Sequence, residues 1–149
     1  MGPKWEKTFN ETGVQIYSNE GTQKKGQLND GSGTTPTLMD DRFVIIGDND
    51  YRQINMVIYS QGDGSLVSKH KVFNFDSNAC ENSIVAYCNS LITGNALNYI
   101  DPFKENETSG GINRFDFNEK TVKFELKEDL PAEFYPDVTF TFLKKMIDP

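Results

Sequence analysis

Acid–base or nucleophilic chemistry in this chain would have to pass through His70, because Ser/His/Asp and Cys/His sets need an imidazole and the 149 residues contain one. It stands between Lys69 and Lys71, on the side of an alternating stretch that also carries Ser68 and Val72, so a structural or surface role is expected. Cys80 and Cys88 add two soft ligands, but no CxxC or HxxxH spacing joins them to His70, and neither a zinc site nor any other metal or cofactor is expected. A bridge between the two cysteines would need the chain to reverse: eight residues of continuous strand span ~26 Å against the ~5.5 Å a disulfide tolerates. Two free, largely buried thiols are therefore expected.

The remaining polar candidates are oxygen-rich. Asp48-Asn49-Asp50 ends an apolar run with Arg52 close behind, a pattern that suits either a Ca²⁺ loop or Asx-turns closing a strand. The EF-hand spacing is absent, which favours the turns. Gly31-Ser32-Gly33-Thr34-Thr35 offers backbone N–H groups for an anion, yet Pro36 takes the place of the third glycine of a dinucleotide fingerprint. Glu81, Asn82 and Ser83 are the best candidates for polar ligand contacts, and an equal alternative is that they bond a neighbouring segment's backbone. Thr34, Thr35, Asp48, Asn49, Asp50 and Arg52 complete the candidate ligand set, with no catalytic residue among them, and the loop Asn95 to Tyr99 is expected at the same end. Two glycosylation sequons, at Asn10 and Asn106, match the number expected by chance from fourteen Asn and twenty Ser plus Thr, and so say nothing about compartment.

These residues must be carried by strands. Alanine occurs four times, whereas Gly, Asn, Asp, Thr and the eleven Phe are plentiful, a composition that suits short half-buried strands and tight turns. The fold expected is all-β. Met56-Val57-Ile58-Tyr59, the turn Gln61-Gly62-Asp63-Gly64 and the run from Leu66 form one hairpin; Asp-Gly supplies the positive φ. A second joins residues 112–117 to 121–126 across Asn118-Glu119-Lys120, with Val122, Phe124 and Leu126 alternating against charged residues. Shorter hairpins turn at Asp40-Asp41 and at Cys88-Asn89-Ser90.

Aligning the hairpins exposes a repeat of about 46 residues. Ile45 falls over Leu91 and Leu91 over Val138; Tyr59 falls over Phe115 and Leu66 over Val122, the longer offset absorbed by an insertion in residues 98–111. Four strands in that length match one β-propeller blade. The expected layout is a single domain over 1–149, with partial blades at 4–30 and 135–149 and full ones at 33–75 and 79–130. About three blades fall short of the four to eight that close a ring, so an incomplete, open propeller is expected.

Gly31-Ser32-Gly33-Thr34-Thr35-Pro36-Thr37-Leu38-Met39, Phe43-Val44-Ile45-Ile46-Gly47-Asp48-Asn49, Asn55-Met56-Val57-Ile58-Tyr59 and Glu81-Asn82-Ser83 resemble, in that order, a group of largely uncharacterised bacterial proteins of quinoprotein-type β-propeller architecture. The resemblance covers about residues 5–144 and implies a longer parent. It transfers no catalytic residue.

The formal charge of −7, with no Lys/Arg cluster longer than two, disfavours nucleic acid. Apolar runs such as Phe43-Val44-Ile45-Ile46 are far shorter than the ~20 residues of a spanning helix, so no membrane partner is expected. Met1-Gly2-Pro3-Lys4-Trp5 has no apolar stretch of a signal peptide; export would require one upstream in a longer parent. The leading reading is a non-catalytic scaffold whose partners are further blades or a second copy meeting at open sheet edges, with a small-molecule or protein ligand on the polar loops. The competing reading is a piece of a quinone-dependent dehydrogenase completed by other blades. Trp5 alone is available to stack a quinone, which weighs against it.

Overall fold

The structure is a computed structural model and describes residues 24, 25, 27, 34–50, 52–79, 81–98 and 110–130. The partial blades expected at the two ends, Cys80 and Gly31 to Gly33 lie outside these residues. Eight strands form among them: β1 (Thr37–Met39), β2 (Phe43–Gly47), β3 (Asn55–Ser60), β4 (Leu66–Lys71), β5 (Val85–Tyr87), β6 (Ser90–Gly94), β7 (Ile112–Asn118) and β8 (Lys123–Leu130). They build two four-stranded antiparallel sheets, each a simple meander, in the orders β1-β2-β3-β4 and β5-β6-β7-β8. The all-β expectation is met.

Turn chemistry explains the short strands. Asp40 and Asp41 both take positive φ (54° and 51°), and the Arg42 N–H donates to the Met39 carbonyl to close the β1–β2 turn. The β3–β4 and β7–β8 hairpins share one design, in which the Gly64 N–H donates to the Ser60 carbonyl and the Val122 N–H to that of Asn118. Both donors sit at left-handed φ, 69° for Gly64 and 55° for Val122. Val122 therefore belongs to the turn, not to a strand starting at residue 121, and β8 begins at Lys123.

Ladder partners give the true alignment of the sheets. Gly47 lies opposite Met56 and Gly94 opposite Ile112, so Ile45, opposite Ile58, corresponds to Ile92, opposite Arg114. The repeat between these strands is 47 residues, and the sequence pairing of Ile45 with Leu91 is one residue out. A single-residue slip moves every side chain to the other face. Tyr59 does match Phe115: each follows a β-bulge, between Ile58 and Tyr59 in the first sheet and between Arg114 and Phe115 in the second. Beyond the bulge Leu66 corresponds to Leu126 rather than Val122, because β7–β8 is the longer hairpin.

The sheets stack face to face. Met39, Phe43, Ile45, Met56 and Ile58 of the first meet Leu91, Phe115, Phe117 and Phe124 of the second in one buried cluster. Phe43 lies 5.1 Å from Phe117 and 5.4 Å from Phe124, ring centre to ring centre. Each ring buried this way contributes roughly 2–3 kcal/mol. The second sheet presents the Leu91 and Phe115 side, while Ile92 and Arg114, the counterparts of Ile45 and Ile58, lie on its far side. Each sheet thus offers a different face to the shared core. The first strands also meet, with the Thr37 hydroxyl donating to the Ile84 carbonyl.

Candidate functional site

The β2–β3 and β4–β5 connections, with residues 95–98 after β6, gather at one end of the sheets and carry most of the candidate residues. Asp48 directly follows the last residue of β2 and is fully buried. Its Oδ1 accepts the Asn55 backbone N–H at 2.7 Å, both carboxylate oxygens accept the Asn55 amide, and Oδ2 pairs with the Lys69 ammonium at 2.8 Å. Burying a carboxylate demands this degree of pairing. The Asp50 N–H adds a longer contact at 3.4 Å, closing an Asx-turn. Asn95 holds the same place after Gly94, and its Oδ1 accepts the Leu97 N–H two residues on at 3.1 Å. Gly-Asp and Gly-Asn at the ends of β2 and β6 are thus one device used twice.

Buried amides then staple the loops together. Asn78 accepts the Ile54 N–H and donates to the carbonyls of Arg52 and Asn74. Asn95 accepts the Ala79 N–H and donates to Ser77. Asn113 of β7 accepts the Phe73 N–H at 2.7 Å and donates to Asp129. The connection between the sheets is therefore held from both sides by asparagines. Asn49 accepts from the Gln27 amide, and Lys24 donates to the Asp50 carbonyl and to Asn78.

Thr34 exchanges hydrogen bonds with the backbone of Gly47. Thr35 and Ser83, which hold matching positions ahead of β1 and β5, meet directly: the Thr35 N–H donates to the Ser83 hydroxyl at 3.1 Å. Ser83 thus bonds the backbone of the segment leading into β1. Glu81 and Asn82 precede it in the same segment, outside β5.

Arg52 points outward and grips Asp76 with two hydrogen bonds, one from Nε to Oδ1 at 2.6 Å, while its guanidinium lies 4.5 Å over the Phe75 ring. The Arg52 guanidinium holds the Asp76 carboxyl below its ordinary range. A cleft of about 400 Å³ opens here between Lys24, Arg52, Asp76, Asn78 and Leu97. Of these, Arg52 stood out from the sequence and Leu97 lies in the loop from Asn95 expected at the ligand end; the turn at residues 73–76, where Phe73 and Asp76 both adopt φ of 61°, brings in Asp76 and Asn78, and Lys24 joins through its bonds to Asp50 and Asn78. Asn78 left no signal beyond being an asparagine near a turn, and Asn95, expected in a ligand-end loop, gave none of its bonds to Ala79 and Ser77.

The groups with nucleophilic or acid–base potential sit elsewhere. Cys88 is a free thiol in the β5–β6 turn and is exposed, not buried, because a tight hairpin tip directs its side chain to solvent. His70 packs its ring against Phe115 and Phe124 of the opposite sheet, and burial lowers its pKa. Among the described residues no group of three or more His, Cys, Asp or Glu side chains is arranged to hold a metal ion. No described helix is long and apolar enough to cross a membrane.

Comparison with protein-family models, with characterised proteins and with solved structures finds no match to the chain.

Proposed function

We propose that the chain is a run of β-propeller blades acting as a non-catalytic binding or assembly scaffold. The observation that carries this is the stacking of two matched meanders through opposite faces, with their bulges at the same position. Repeats related by rotation about a common axis meet in that way, whereas two sheets related by a two-fold axis would present the same face to each other. Contact between the first strands, and between the matching residues Thr35 and Ser83, fits an axis running past β1 and β5.

The polar loop residues support the scaffold half of the reading, since Asp48, Asn78, Asn95 and Asn113 spend their hydrogen bonds on backbone groups and on the side chains of Asn55, Lys24 and Asp129. Partners are further blades or a second copy. The outer strands disfavour docking edge to edge: the bulges insert Val67 in β4 and Lys127 in β8, and both strands are rich in charged residues. Assembly through faces is the better fit. Melting in the presence and absence of a soluble quinone with Ca²⁺ tests the non-catalytic assignment, because a ligand that binds only the folded chain raises Tm. An unchanged Tm is expected; a dose-dependent rise would overturn the assignment in favour of a propeller dehydrogenase.

A further inference from the structure

His70 occupies an unusual place for the chain's one imidazole. It lies on β4 opposite the buried Met56, on the side of the first sheet that faces the second. Its ring centre is 5.4 Å from that of Phe115 on β7 and 6.2 Å from that of Phe124 on β8, and Nε2 contacts the Ser68 hydroxyl at 3.0 Å. Both ring contacts cross the seam between the sheets.

The charged groups around it are few. Lys69 and Lys71 project from the other face of β4, Lys69 towards Asp48. On β3 the facing residues are Met56 and Ile58, and on β7 they are Asn113, Phe115 and Phe117, none of them ionisable; Arg114 and Asp116 pair with each other on the far side. β8 turns Phe124, Leu126 and Asp129 to the seam, the last bonded to the Asn113 amide at 2.8 Å. Lys123, Glu125 and Glu128 face away, and Lys127, at the bulge, pairs with Glu125 at 2.8 Å.

We propose that His70 makes the seam between the two sheets acid-sensitive: as pH falls below neutral its ring takes a proton, the charge must be hydrated, and the contact between the sheets loosens reversibly. The sense of the effect follows from proton linkage. Burial lowers the folded-state pKa below the ordinary value of 6.5, so the unfolded chain binds the proton more readily. The stability His70 allows is thus complete above pH 6.5 and is lost as pH falls through that value towards the folded pKa. Carboxylates held low, Asp63 at about 2 and Asp76 below its ordinary range, lose their contributions only in stronger acid. The interval from pH 7 to pH 5 therefore isolates the imidazole.

The test compares Tm of the full chain and of His70→Gln, which stays neutral and can still reach Ser68, at pH 7 and pH 5. The parent is expected to lose about 2–4 °C more than the variant over this interval, the scale on which small stability changes move Tm in a chain of this size. Parallel losses would overturn the proposal. Should the variant fail to fold, titration of the imidazole by NMR in the parent decides: a midpoint below 6.5 supports the switch, and a midpoint at or above it, as pairing with Asp129 would produce, refutes it.

Discussion

The two sheets share topology, bulge position and hairpin design, yet they differ where the repeat would have them agree. Ile58 of the first sheet lies in the buried core, and its counterpart Arg114 lies on the far side of the second, paired with Asp116 at 2.9 Å and lying 3.6 Å from Glu128. After the glycine that ends the second strand, the first sheet buries an aspartate with a lysine partner, and the second an asparagine bonded to the inter-sheet connection. At the left-handed turn position the first has Gly64 and the second Val122. Matching backbone positions therefore do not impose matching side chains; each is set by what its own face meets.

Breaking the core side of this comparison should have the largest effect. Ile58→Ala is expected to cost about 3 kcal/mol, through lost burial and the cavity left behind, whereas Arg114→Ala should cost about 1 kcal/mol or less. Urea midpoints of the two variants measure this, and equal losses would mean that the far face of the second sheet is as buried as the seam.

Exchanging the loop residues comes next. Asp48→Asn removes the partner of Lys69 and turns an amide towards the donors of Asn55, at an expected cost of about 2 kcal/mol. Asn95→Asp sets a carboxylate oxygen against the Ser77 carbonyl and should lose a similar amount at neutral pH. A protonated Asp at position 95 can donate to Ser77, so that variant should regain part of its stability relative to the parent near pH 4. Stability curves against pH check both.

The smallest effect concerns the turns. A β-branched residue in the left-handed region is strained, so Val122→Gly should stabilise the chain by about 0.5 kcal/mol, the relief of strain exceeding the added chain entropy. The converse change, Gly64→Val, should cost about 1 kcal/mol or more. Chemical denaturation of both variants tests whether the hairpins are equivalent.

Hairpins were legible because their signals are local. Asp63-Gly64 announces positive φ, and the alternation of Phe124 and Leu126 with charged residues announces a half-buried strand. The Asx-turn at Asp48 was legible for the same reason, since its oxygen reaches a backbone N–H two residues on. The alignment of Ile45 with Leu91 failed because hydrophobic similarity does not register a one-residue difference in turn length, while the hydrogen-bond ladder does. The exposure of Cys88 was hidden too, as burial there depends on which way a tip projects. Asn78, Asn95 and Asn113 were unreadable as staples, because their partners lie on other elements.

By itself the sequence determined the all-β class and, to within a residue or two, the positions of the turns, both governed by backbone preferences within a few residues. Only the tertiary structure decided which face of each sheet is core, that His70 lies in the seam, and that Arg52, Asp76 and Asn78 share a cleft. Those outcomes depend on register between strands and on stacking between sheets, where groups distant along the chain must satisfy one another.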